Sequence, residues 1–168
     1  MTDNGKGHRD KLRGSLPPQR GSVDTDDESS EESCAAFGYL RGIREKADAL
    51  EVRFKNGNST WLPYNWLGSW KFDPSKGLLL KFSGDVVYLV LITGSNLDHP
   101  LLDSTTNLTR SGLQRRKIVW LREMTEDEIR RVGESGPTID SIQVVEFESN
   151  AELLKWLEGH APSFLPEH

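Results

Sequence analysis

Residues 78–92 read Leu78-Leu79-Leu80-Lys81-Phe82-Ser83-Gly84-Asp85-Val86-Val87-Tyr88-Leu89-Val90-Leu91-Ile92. Leu78, Leu80 and Phe82 recur with the period of two that turns one face of a strand inward. Ser83-Gly84-Asp85 is a turn signal, because these residues tolerate the backbone angles a reversal needs. Residues 86–92 then form a continuous apolar run dense in β-branched side chains, which predicts a strand covered on both faces. Val90, in the middle of that run, is the expected centre of the core.

The segments on either side extend a β-rich pattern. Upstream, Leu50, Val52 and Phe54 alternate with Glu51, Arg53 and Lys55, and Asn56-Gly57 predicts a hairpin. Residues 60–72 are aromatic but interrupted by Pro63 and Gly68, so this stretch should bend or break. Asp73-Pro74-Ser75-Lys76-Gly77 is another turn. Downstream, residues 94–112 are polar and compatible with a loop or a short helix, and residues 117–122 (KIVWLR) predict a strand. Thr125 with Glu128, and Ser149 with Glu152, have the capping-box spacing ahead of short apolar helical patterns that end near Gly133 and Gly159. Between them, residues 139–147 favour a strand. The expectation is a mainly β, α+β domain. A bent antiparallel small barrel or rolled sheet of five or six strands spans residues 37–122, extended by an acidic helix–strand–helix segment over 123–168.

A chain of 168 residues suits one such domain with a tail to spare. Residues 1–36 hold almost no large apolar side chains, so ordering them could not be offset by burial, and a disordered acidic tail is expected there. That tail carries five basic and eight acidic residues. Residues 37–122 carry 13 basic and seven acidic residues, and residues 123–168 three and 11. This split predicts internal pairing or two binding faces of opposite sign. Cys34 is the single cysteine, so neither an intrachain disulfide nor a cysteine zinc site is expected. Without an apolar export signal or a run long enough to span a bilayer, no membrane association is expected and the expected address is cytoplasmic.

Catalytic constellations are missing from the sequence. No serine or cysteine stands in a nucleophile-elbow context, and Gly38 and Gly42 lack the spacing and lysine of a phosphate loop. Asp98, His99 and Asp103 could hold a metal, but beside Pro100 they read as turn residues. No enzyme, metal or cofactor is expected. Two groups of residues point to binding instead. Trp61, Tyr64, Trp66 and Trp70 could offer stacking faces or a peptide groove, with Arg53, Lys55 and Lys71 nearby, or could simply fill a small barrel. Arg115, Arg116 and Lys117, with Arg110 and Arg122 around them, could follow a nucleic-acid backbone or pair with the acidic C-terminal third.

The order of these elements resembles the Sm-like small barrel over residues 48–97. Val52, Asn56-Gly57, Gly68, Phe72-Asp73 and Leu78-Leu79-Leu80 are similar to its first motif, and residues 92–97 (ITGSNL) to its second. The resemblance implies the barrel but not the family's RNA site. The spacer between Gly57 and Gly68 is longer, Gly77 stands where a pocket asparagine would be, and Thr93 stands where the second motif has its arginine. An SH3-like barrel is equally compatible with the pattern. The function expected is therefore a non-catalytic module that binds a protein or peptide, with nucleic-acid binding as the alternative.

Overall fold

The computed structural model describes residues 31–101 and 105–166. Strands β1 (Glu31–Ser33), β2 (Phe37–Leu40), β3 (Ala49–Arg53), β4 (Ser59–Pro63) and β8 (Ile118–Arg122) form one sheet in the order β1-β2-β8-β3-β4. Strands β5 (Leu67–Asp73), β6 (Gly77–Ser83), β7 (Val87–Ser95) and β9 (Thr138–Phe147) form a second, ordered β5-β6-β7-β9. Helix α1 (Glu126–Val132) lies between β8 and β9, and α2 (Asn150–His160) follows β9. The fold is mainly β, as the periodicity implies. Its strands form two sheets, and no closed barrel is found among the described residues.

The break between the sheets falls where the sequence interrupts itself. Pro63, in the middle of the aromatic stretch, ends β4, and Tyr64–Trp66 makes a single 3₁₀ turn before β5 departs into the second sheet. Asn56 and Gly57 close the β3–β4 hairpin. Gly57 has φ 94°, its N–H donates to the Phe54 carbonyl at 3.0 Å, and Phe54 N–H donates to the Asn58 carbonyl at 2.9 Å. That is a three-residue loop with glycine at the positive-φ position.

Both sheets turn apolar side chains toward one shared core. Leu50, Val52, Leu62 and Leu121 come from the first sheet, and Leu78, Leu80, Phe82, Val90 and Ile92 from the second. Alternate residues of the second sheet, Leu79, Leu89 and Phe147, face the other way and are covered by Leu153, Leu157 and Phe164 from α2 and the turn after it. β7 pairs with β6 on one side and β9 on the other, and is buried on both faces. This is the arrangement its unbroken apolar run predicts.

The structure departs from the sequence pattern at three points. The tail was expected to reach Ala36, but Glu31–Ser33 pairs with β2 and Ala36 is fully buried, because backbone pairing holds this polar segment in place of apolar content. Residues 1–30 lie outside the described residues. The sheet is not wholly antiparallel, since β3 and β8 pair in parallel, Glu51 opposite Trp120. Finally, β9 is no extension: it joins β7 over nine register pairs from Val87↔Phe147 to Ser95↔Thr138, because its inward residues Ile139 and Ile142 belong to the shared core. Residues 109–113, within the undecided segment, form a π-helical turn.

The double covering of the second sheet has a measurable consequence. Leu80 is fully buried between the sheets, so Leu80→Ala should lower the unfolding free energy by about 2–5 kcal/mol in urea titrations. Leu154, on α2 but 40% exposed, should change it by no more than about 0.5 kcal/mol when cut to alanine. Equal losses at the two sites would contradict the packing described.

Candidate interaction surface

The two sheets are not covered alike. α2 lies across the outer face of the second sheet, while α1 plugs an end of the shared core through Ile129 and Val132. Neither helix packs across the outer face of the first sheet. Among the described residues, side chains pointing outward there satisfy one another or meet solvent.

Strand register aligns these side chains in a row. Ser33 stands opposite Gly38, Gly38 opposite Trp120, Trp120 opposite Glu51, and Glu51 opposite Trp61, so one line crosses all five strands. Trp120 is the anchor. A side chain at position 38 would place its Cβ 2.2 Å from Trp120 Nε1, so only glycine lets the indole lie down over β2. The Arg53 guanidinium sits 4.4 Å from the centre of the same ring, and the indole N–H donates to Glu31 at 3.4 Å. Together these leave Trp120 only 9% exposed, and the cation–π contact is worth about 0.5–2 kcal/mol.

Glu51 completes the network. Arg53 Nη2 donates to its Oε1 at 3.0 Å and the Ser59 hydroxyl to its Oε2 at 2.9 Å. The Arg53 hydrogen bond is the main reason the Glu51 carboxyl is held below the ordinary carboxylate range. Beside the row, the β3–β4 hairpin borders a groove of about 410 Å³ that includes Arg53, Lys55, Ser59, Arg122 and Glu123. Its charges are balanced. Glu123 accepts from the backbone N–H groups of Lys55 and Ile142, both at 2.9 Å. Arg122 donates from Nε to the Ala35 carbonyl at 2.6 Å and from its other nitrogens to the Glu128 carboxylate.

Trp61 ends the row and is 62% exposed. It lies on β4, the edge strand of the sheet. Hydrogen bonds at both ends of the hairpin set the parity of this edge: Phe54 N–H donates to Asn58 and Tyr64 N–H to the Asp48 carbonyl, both at 2.9 Å. Thr60 and Leu62 therefore face β3 with their backbone groups, while those of Ser59 and Trp61 point away from the sheet. Pro63 follows in the same outward phase and has no N–H to offer, which limits the open edge to a short stretch.

The other sequence candidates are placed differently. Tyr64 is buried, donates its hydroxyl to the Ile118 carbonyl at 2.7 Å, and has its phenol pushed up by burial. Trp66 stacks on Tyr88 at 6.1 Å and 12°, and Trp70 is half-buried against the shared core. Of the four aromatic candidates only Trp61 faces solvent. The basic triplet also separates. Arg116 lies 5.7 Å from the Tyr64 ring and donates to Asn65 at 2.8 Å. Lys117 Nζ donates to the carbonyls of Gly42, Ile43 and Glu45, and Arg115 alone is exposed. The Asp98 and His99 side chains are 3.8 Å apart and exposed, Asp103 lies outside the described residues, and no group of three metal-ligating side chains occurs among the described residues.

Trp120 and Arg53 were not singled out together by the sequence. Period two would place Trp120 on the face of Ile118, which is buried in the core, and the register irregularity between Gly38 and Tyr39 separates the two, so simple alternation could not have marked the indole as outward. Among the described residues no helix is long and apolar enough to cross a membrane. Compared with protein-family models, curated proteins and solved structures, the chain has no match.

The Arg122–Glu128 pair beside this surface predicts a pH dependence. The Arg122 hydrogen bond chiefly, helped by the Thr125 N–H, lowers the Glu128 carboxyl from 4.5 to about 2. A depressed pKa stabilises the fold fully above 4.5 and loses that contribution as pH falls toward 2. The Tm difference between the wild type and Glu128→Gln should therefore be largest at neutral pH and shrink through that window. A difference that stays constant down to the acid end would mean the pair adds nothing.

Proposed function

We propose that the protein is a non-catalytic interaction module that binds a peptide or protein segment along the outer face and β4 edge of its first sheet. The observation that carries this reading is Trp61, a large aromatic side chain 62% exposed at the open end of a row otherwise fixed by packing and ion pairs. An exposed indole next to outward-pointing backbone donors and acceptors suits an extended peptide, which would add main-chain hydrogen bonds to the edge and bury the ring. The row supplies rigidity. Trp120, Arg53 and Glu51 are already held by one another, so a partner would meet a preformed surface and little side-chain freedom would be lost on binding.

The balanced charges of the adjoining groove favour a peptide over a polyanion. Arg53, Arg122 and Glu123 are already paired, leaving few cations there to release counterions from phosphates. Nucleic-acid binding would draw on Arg115, Arg116 and Lys117, but Arg116 and Lys117 are committed to contacts inside the fold.

Selection of peptides from a random display library on the immobilised full chain tests the proposal. Selected peptides should shift the Trp61 indole signal in NMR spectra, and Trp61→Ala should weaken them by tenfold or more, about 1.4 kcal/mol, with an unchanged Tm. Peptides indifferent to Trp61 would overturn the assignment of the surface. Sub-micromolar, salt-sensitive binding of single-stranded RNA, lost when Arg115, Arg116 and Lys117 are all alanine, would replace it with the nucleic-acid reading.

A further inference from the structure

A second surface lies at the opposite end of β2 and involves neither Trp61 nor Trp120. A groove of about 890 Å³ opens there, with Arg41, Ile43, Lys46, Gln114 and Arg115 among its walls. Two stretches far apart in sequence build it. The loop after β2 is fastened to the turn before β8 by Leu40 N–H on the Lys117 carbonyl at 2.9 Å, Ala47 N–H on the Arg116 carbonyl at 2.8 Å, and the Lys117 ammonium on three loop carbonyls. The groove is therefore a formed part of the fold.

Its charge is only partly answered. Arg41 pairs with Glu32 of β1, which also accepts from the Tyr39 hydroxyl at 3.1 Å. Lys46 and Arg115 are exposed, and among the described residues no carboxylate pairs with either. Ile43, 95% exposed, is part of the same wall.

The direction of the chain supplies an occupant. β1 runs antiparallel to β2 with Glu31 opposite Leu40, so the N-terminal end of β1 stands at the end of β2 where this groove begins. Just before that point come Asp24, Asp26, Asp27 and Glu28, four carboxylates within five residues. We propose that the groove is the docking site of the chain's own acidic segment, residues 24–28, whose carboxylates meet Lys46 and Arg115 as Glu32 meets Arg41. Surface ion pairs are weak singly, and here the tether compensates. Only residues 29 and 30 separate Glu28 from Glu31, so the segment is held at an effective concentration of about millimolar or more. An acidic partner segment from elsewhere would have to displace it.

The full chain with Cys34→Ser, and a nitroxide attached at Thr25→Cys, tests the docking by NMR. In about 20 mM salt the amide signals of Lys46, Gln114 and Arg115 should be strongly broadened, and in about 500 mM salt they should recover as screening shortens. Lys46→Glu with Arg115→Glu should abolish the broadening at Gln114 at low salt. Should that pair of reversals impair folding, Lys46→Gln with Arg115→Gln should still reduce it. Broadening confined to residues flanking β1, or indifferent to both salt and charge reversal, would overturn the proposal. So would an absence of broadening together with shifts of the groove signals on adding a single-stranded oligonucleotide, which would assign the groove to nucleic acid.

Discussion

The burial of β7 on both faces is the constraint from which the rest of the structure follows. A strand that is apolar on both sides needs a layer on each: the first sheet supplies one, and α2 with the turn after it the other. The chain has two α-helices among the described residues. One is spent on the second sheet, and the other, α1, closes an end of the shared core. Among the described residues no helix is left for the outer face of the first sheet, and its side chains cover one another.

How they do so explains why that face is a candidate for binding. Gly38 makes room for the indole of Trp120, Arg53 lies on the ring, and Glu51, itself held by the Ser59 hydroxyl, ties Arg53 down. Each contact is modest and partly exposed, but they share members, so the loss of one loosens the next. The network ends one strand short of the edge. Trp61, on that last strand, has Glu51 as its cross-strand neighbour, and among the described residues no ring or cation lies over it as Arg53 lies over Trp120.

The core was legible in the sequence because its signals are local. The alternation of Leu78, Leu80 and Phe82, the run through Val90, the Asn56-Gly57 hairpin and the Thr125 cap are each contained in a few residues, and the structure uses every one. Pairings across the chain were not legible. That β9 joins β7, that β3 and β8 run parallel, and that Glu31–Ser33 is held by β2 all depend on partners up to 89 positions away, as in the contact of Trp120 with Glu31. The same limit governs the surfaces. Trp61, Tyr64, Trp66 and Trp70 share a short stretch, yet a proline and a 3₁₀ turn send their side chains to different environments. Arg115, Arg116 and Lys117 are consecutive but diverge because Arg116 takes φ 57° and its neighbours leave in other directions. Conversely, Arg41 and Lys46 share a groove with Arg115 only through the β2–β8 pairing.

Peptide binding along this face requires the β4 edge to be open in the free protein, with Trp61 at its centre. Residue-resolved hydrogen exchange of the full chain tests this directly. The backbone parity of the hairpin predicts alternation along the strand: the Thr60 and Leu62 amides protected by their bonds to β3, and the Ser59 and Trp61 amides exchanging at nearly the rate of an unstructured peptide. Protection of the Trp61 amide comparable to that of Thr60 and Leu62 would mean that the edge is already paired, and would contradict the account.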